Sequence, residues 1–244
     1  MTQLYTTRIV PTNATATTAA VGYPALNALL QAIGQPWRAT DATQTDLIID
    51  LGAALTVRGI GVQDINAAGV TIASSPDNIT YTYQATPTFT ADRFQRSRGI
   101  GAVNLSARYW RIRIAAGTPT DALAYWRIGA VYVFGAVAAP INPQYGLQIE
   151  TKHADSRITM SNGREAVSSV GSRFDMITGK FLIDTTGLIG TFLNDIRNGV
   201  IWLDMQVATK QWLSWPLFNN AGSDKETLPN VTQSEIDLNA REVV

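Results

Sequence analysis

The stretch Ser106-Ala-Arg-Tyr-Trp-Arg-Ile-Arg-Ile114 decides how the first half of this chain folds. In it Tyr109, Arg111 and Arg113 alternate with Trp110, Ile112 and Ile114. A period of two belongs to a strand that buries one face and wets the other. Aromatic and β-branched residues fill a pleated, half-buried surface well, which supports the same reading. The stretch is predicted to be a sandwich strand whose outer face carries guanidinium groups.

Working outward, similar runs flank it on both sides. Asp46 to Gly52 reads as a strand ending in a turn, followed by strands at 56–62 and 69–75. Pro76-Asp77-Asn78 is turn chemistry, and Ile79 to Gln84 alternates again as a fourth strand. Residues 87–101 read as a loop, and Tyr125 to Gly135 as a last long strand. Upstream, residues 12–20 are small and polar and suit a loop or an irregular edge. Pro24 followed by Leu26, Leu29, Leu30 and Ile33, with Gly34 behind them, predicts a short helix. Short strands with turn punctuation and one small helix predict an antiparallel sandwich over residues 1–137.

Two prolines among small residues, Pro140 and Pro143, place a linker at 138–144. A second domain is expected over 145–244, a smaller β sandwich with one short packed helix. Strands are expected at 145–150, 173–183, 200–206, 211–215 and 231–238, with a hairpin turn at Asn162-Gly163. Leu188, Ile189, Phe192, Leu193 and Ile196 recur at three- and four-residue spacing, predicting a helix over about 186–198.

Composition narrows the function. The 244 residues carry 19 basic and 19 acidic side chains, without the basic excess expected of a nucleic-acid binder. There is no cysteine, so disulfides, thiolate zinc sites and cysteine nucleophiles are excluded. Met1 to Arg8 lacks a basic region followed by an apolar run, and no apolar window approaches 18 residues. Neither a signal peptide nor a membrane span is expected.

Catalytic constellations are not indicated. His153, the one histidine, stands beside Asp155 in a polar segment without a Gly-x-Ser-x-Gly elbow. A lone histidine also argues against catalytic zinc. Asp175, Asp184, Asp195 and Asp204 are spread over separate elements and read as surface acids. No phosphate-binding glycine loop opens a helix. Asp41, Asp46 and Asp77 leave a structural calcium open, because hard-cation sites also use backbone oxygens. No other cofactor or metal is expected. Arg93, Arg96 and Arg98, placed in the 87–101 loop, are candidates for an anionic ligand or a neighbouring subunit, with solvent as the alternative. Trp37, Trp110 and Trp126 are expected in the core, and Trp212 and Trp215 at a protein interface, where tryptophan is enriched.

The first domain resembles the discoidin, or coagulation-factor type C, family of galactose-binding-like jelly rolls. The resemblance is carried by Trp37, Asp46-Leu-Ile-Ile-Asp-Leu-Gly52, Val57 to Val62, Ser74 to Tyr81, Ala107-Arg-Tyr-Trp-Arg-Ile112 and Ile128 to Gly135, in family order. It implies an eight-stranded jelly roll that binds glycans, lipid head groups or proteins through loops at one end. In that context Trp110, Ile112 and Ile114 are core, and Arg108 and Arg111 brace neighbouring strands or loops. This chain departs from the family in having Asn78 where glycine is usual and Gly34-Gln-Pro-Trp37 in place of an Asp-Gly turn.

The order of elements also resembles tail-tip and distal tail (baseplate) proteins of long-tailed bacteriophages, through Pro24 to Leu29, Trp37-Arg38 and Ser161-Asn-Gly-Arg164. That resemblance implies a non-enzymatic structural virion protein, made in the host cytoplasm and carried in the phage tail. Its second domain would form a ring such as a hexamer, against tail tube and tail-tip hub proteins. The jelly roll would then be presented to a host surface glycan or to adjacent tail proteins. The alternative is a stand-alone carbohydrate-binding module, or the accessory module of a glycan-degrading system.

Overall fold

The computed structural model describes residues 2–30, 35–91, 97–143, 148–153, 156–159, 165–168, 173–184, 200–204, 214–219, 226–230 and 233–242. The chain is mainly antiparallel β-sheet, as its alternating runs require. β1 (Thr2–Ile9), β2 (Asn13–Ala16), β3 (Trp37–Arg38) and β4 (Thr45–Ile65) come first. β5 (Thr71–Ser75), β6 (Thr82–Ala85), β7 (Thr90–Ala91), β8 (Ser97–Ile114) and β9 (Arg127–Pro143) follow. The remainder holds β10 (Gln148–His153), β11 (Ser156–Thr159), β12 (Glu165–Ser168) and β13 (Arg173–Asp184). It closes with β14 (Val200–Asp204), β15 (Ser214–Asn219), β16 (Glu226–Asn230) and β17 (Gln233–Glu242).

β4 and β8 run through both layers of a jelly-roll sandwich. The first part of β4 pairs with β2 and with the end of β8, which in turn pairs with β5. The second part of β4 pairs with the start of β8 and with β9. Between Asp50 and Leu55 β4 advances five residues while β8 advances two, from Tyr109 to Ala107. That bulge sits on Gly52, whose φ of +79° is cheap only without a Cβ. The sequence reading of two strands with a turn between them becomes one strand with a bulge.

The burial of β8 follows the predicted alternation. Trp110, Ile112 and Ile114 are buried, and Tyr109, Arg111 and Arg113 are partly exposed. They join Leu47, Ile49, Val62, Ile128 and Val133 in one core with Trp37 and Trp126, the three expected core tryptophans all being buried. Each indole N–H finds an acceptor: Trp37 donates to the Thr18 carbonyl, Trp126 to that of Thr43 and Trp110 to that of Ala107. A buried Trp is stable there because ring and N–H are both accommodated.

Three expectations are corrected. The helix over 24–34 is a single 3-10 turn, Ala25–Leu29, that buries Ala25 and Ala28. Leu26 and Leu30 of the predicted apolar stripe are exposed, and Ile33 and Gly34 lie outside the described residues. Five residues are too few to sustain a 3.6-residue stripe, so the small alanines pack instead. Residues 138–143, the start of the expected linker, are the end of β9, paired with β1 through Leu4–Ala138 and Thr2–Ile141. Pro140 and Pro143 thus stand within the last residues of a strand. Finally, residues 97–101 are strand rather than loop.

In the second part, β11 and β12 pair with Thr159 opposite Glu165, as expected of a hairpin, while its turn at Asn162-Gly163 lies outside the described residues. The helix expected at 186–198 also lies outside them. β1 is hydrogen-bonded between β9 and β14, so the first strand of the chain joins the two halves.

That junction is packed by aromatics. Tyr5, Tyr132, Phe134 and Trp202 are buried together on the outer face of the β4–β9 layer. The Trp202 ring meets Tyr132 and Phe134 edge-on, at centroid distances of 5.7 and 6.5 Å. Beneath it lies Gly61, where a Cβ would stand 2.5 Å from the indole. Burial pushes the Tyr5 hydroxyl up to about 12, with Asp204 adding to the shift. Trp202→Ala should therefore cost about 3–5 kcal/mol in urea unfolding. Gly61→Ala should cost about 1–3 kcal/mol by overpacking. An unchanged midpoint in both variants would show that this cluster does not support the fold.

Candidate functional site

The wetter face of β8 is the floor of the site. Antiparallel pairing puts residues opposite one another on the same face. Tyr109 lies between Asp50 and Ser75, Arg111 between Ile48 and Ala73, and Arg113 between Asp46 and Thr71. β2 extends the first two rows with Asn13 beside Asp50 and Thr15 beside Ile48.

Two bidentate ion pairs cross this face. Arg108 donates through Nε and a terminal nitrogen to the two oxygens of Asp50, at 2.8 and 2.9 Å. Arg113 grips Asp46 in the same way, at 2.7 and 2.8 Å. The fork matches the planar guanidinium to the carboxylate and fixes both side chains. Arg108 therefore braces β4, as expected. The Arg108 hydrogen bonds hold the Asp50 carboxyl below the usual carboxylate range, helped by the Gly52 N–H.

The turn after β5 overhangs the floor. Asp77 accepts the Ser75 hydroxyl and the Ile79 and Thr80 amides, which hold its carboxyl low. Asn78 adopts φ +64°, a left-handed conformation that Asn tolerates better than most residues. Asn78 thus takes the left-handed position of this turn without a glycine. The Tyr81 hydroxyl donates to the Asn78 side chain, and the Arg111 guanidinium lies 4.2 Å from the Tyr81 ring centroid.

Between β2 and this turn lies an open cleft of about 220 Å3, lined by Asn13, Ala14, Thr15, Ile48, Asp50, Asn78 and Tyr109. It combines an aromatic ring, an aliphatic side chain, two amides, a hydroxyl and a carboxylate already held in place. Sequence reasoning missed these lining residues because they come from four separate segments, brought together by strand register and by the turn after β5. The one available signal was the outward position of Tyr109 in the deciding strand.

Of the residues singled out from the sequence, Arg98, Asp41, Asp46 and Asp77 do not line this cleft. Arg98 is buried in β8 opposite Gln63, at 1% exposure, rather than in a loop. Arg93 and Arg96 lie outside the described residues, as does Trp212, while Trp215 falls within β15. His153 closes β10. Asp46 is a strand residue committed to arginine, and Asp41 accepts from the Thr43 hydroxyl and amide. Among the described residues no group of three or more acidic or histidine side chains could hold a metal ion.

A second polar cluster closes one end of the sandwich. Arg127 reaches Asp64 at 3.2 Å and Asp121 at 3.3 Å, and Asn66 donates to Asp121 and to the Tyr125 carbonyl. It ties the 115–126 connection to the end of β4. Burial raises the Asp64 carboxyl, and Arg127 opposes that shift.

No protein-family model matches the chain, and no curated protein is a significant match. Solved structures with a similar chain course include carbohydrate-binding modules. One is chitosan-binding module 1 derived from a chitosanase/glucanase of Paenibacillus sp. IK-5 (20% identity, 52% of this chain, 97% of that chain, TM-score 0.44). Another is the family 32 CBM from C. perfringens NanJ in complex with galactose (20% identity, 54% and 98%, TM-score 0.43). A third is the CBM32 of AlyQ in complex with 4,5-unsaturated mannuronic acid (20% identity, 53% and 99%, TM-score 0.44). All three scores are below 0.5, so function rests on the site itself.

The depressed Asp50 carboxyl has a pH consequence. Such a group contributes stability that is complete above its unfolded value and lost as pH falls through its folded one. Wild type should be more stable than Asp50→Asn at pH 7, and the gap should close as pH drops below about 4. Thermal midpoints from pH 7 to pH 2 check this; parallel curves would mean that the ion pair is not formed.

Proposed function

We propose that the first half of the chain is a glycan-binding module and that the cleft between β2, β4 and the 75–80 turn receives a sugar ring. The observation that carries this reading is the lining itself. Tyr109 and Ile48 offer apolar contact to the C–H face of a pyranose, while Asp50, Asn13 and Asn78 offer planar groups to adjacent hydroxyls. Few, well-placed polar groups among apolar ones are the ordinary makeup of a small-ligand site. The volume is below the roughly 300–1,000 Å3 of drug-sized pockets, which suits one ring of a longer chain.

Binding rather than cleavage is supported by the carboxylates. Asp46 and Asp50 share a face of β4 four residues apart, hence about 13 Å along the strand. Glycosidase acid pairs stand no more than about 9.5 Å apart. Both acids are also engaged by arginine forks.

A structural role in a phage tail tip is the second reading. It rests on the order of elements in the sequence; β1 and Trp202 join the module to a second β-rich part. On that reading the second part would assemble into a ring in the virion and contact tail tube and hub proteins. Electron microscopy of the purified chain and of a tail containing it tests this directly.

Glycan-array screening followed by calorimetry tests the first reading. At least one oligosaccharide should bind, and Tyr109→Ala should weaken it tenfold or more without changing the unfolding midpoint by more than a few degrees. Absence of binding across the array, or binding indifferent to Tyr109, would overturn it.

A further inference from the structure

We infer that the cleft selects glycans carrying a carboxylate, with Arg111 as the residue that receives it; this deepens the glycan-binding reading and rests on it. Among the described residues, the guanidinium groups of Arg108, Arg111 and Arg113 meet the carboxylates of Asp46 and Asp50 on this face, while Asp77 acts on Tyr81 from the neighbouring turn. Arg108 takes both oxygens of Asp50, and Arg113 takes both oxygens of Asp46. Arg111 approaches Asp46 only to 3.9 Å, beyond hydrogen-bond reach. Its Nε is buried and has no hydrogen-bond partner among the described residues. It is the surplus cation of the face.

Its position beside the cleft follows from register. Ile48, the cross-strand partner of Arg111, lines the cleft. Tyr81, whose ring meets the Arg111 guanidinium, donates its hydroxyl to Asn78, which also lines it. The arginine thus adjoins lining residues without itself lining the cleft, and its side chain is 19% exposed. An arginine held by an aromatic ring loses little rotamer freedom on binding, and its fork is shaped for a carboxylate. Asp50 does not repel such a ligand strongly, because Arg108 neutralises it.

Titration calorimetry of the full chain tests this with glucuronate, galacturonate and mannuronate tetrasaccharides, each beside its carboxyl-reduced neutral form. At least one acid should bind tenfold or more tighter than its neutral counterpart, with the preference shrinking as salt rises. Arg111→Gln should bring the acid down to the neutral affinity and leave the neutral affinity within about twofold, whereas Tyr109→Ala weakens both. Should Arg111→Gln fail to fold, Arg111→Lys keeps the charge, loses the fork and should lose at least threefold of the preference. Equal affinities for acid and neutral forms, or a preference that survives both arginine variants, overturn the carboxylate selection and leave glycan binding standing. No binding of any tetrasaccharide, acid or neutral, overturns both.

Discussion

The pairing of β4 with β8 is the constraint on which the rest depends. Both strands cross from one layer of the sandwich to the other, and they stay hydrogen-bonded from Thr45–Ile114 to Gln63–Arg98. A slip of one residue would turn Trp110, Ile112 and Ile114 to the outer face and Arg111 and Arg113 into the core. The apolar side resists the slip by burial. The polar side resists it by the forks Arg108–Asp50 and Arg113–Asp46, which close only in this register. Surface ion pairs usually contribute little stability, but bidentate ones specify geometry. Here they also position the polar wall of the cleft.

The bulge at Gly52 has a matching role. It lets β4 leave one layer and enter the other while its partner follows with fewer residues. The chain on either side then faces different surroundings. Before the bulge, one face of β4 meets the core and the other lines the cleft. After it, both faces are covered, by the core on one side and by Tyr5 and Trp202 on the other. Gly59 and Gly61 fit this second environment, since a Cβ at either would meet an aromatic ring within 2.7 Å.

Much of this was legible in the order of residues. The period of two in 106–114, the three core tryptophans and the turn at Pro76-Asp77-Asn78 follow from local patterns, and local patterns are what a sequence displays. The stripe at 24–33 misled because its leucines lie on a one-turn element with no long partner surface. The prolines at 140 and 143 stand in a strand continued by pairing with the distant β1 and β13. Arg98, placed in a loop from the sequence, lies in β8, where Gly99 and Gly101 beside it admit the Phe89 and Ile72 side chains. The cleft was not legible because Asn13, Asp50, Asn78 and Tyr109 meet only through antiparallel register and the turn after β5.

On the proposed function, strand register rather than the loops at one end of the sandwich builds the ligand site. A crystal structure of the full chain bound to its tightest oligosaccharide tests it most directly. A sugar ring is expected against Tyr109 and Ile48, with hydroxyls on Asp50 and Asn13. A sugar seated among the 66–70 and 115–126 connections, with the cleft empty, would contradict it.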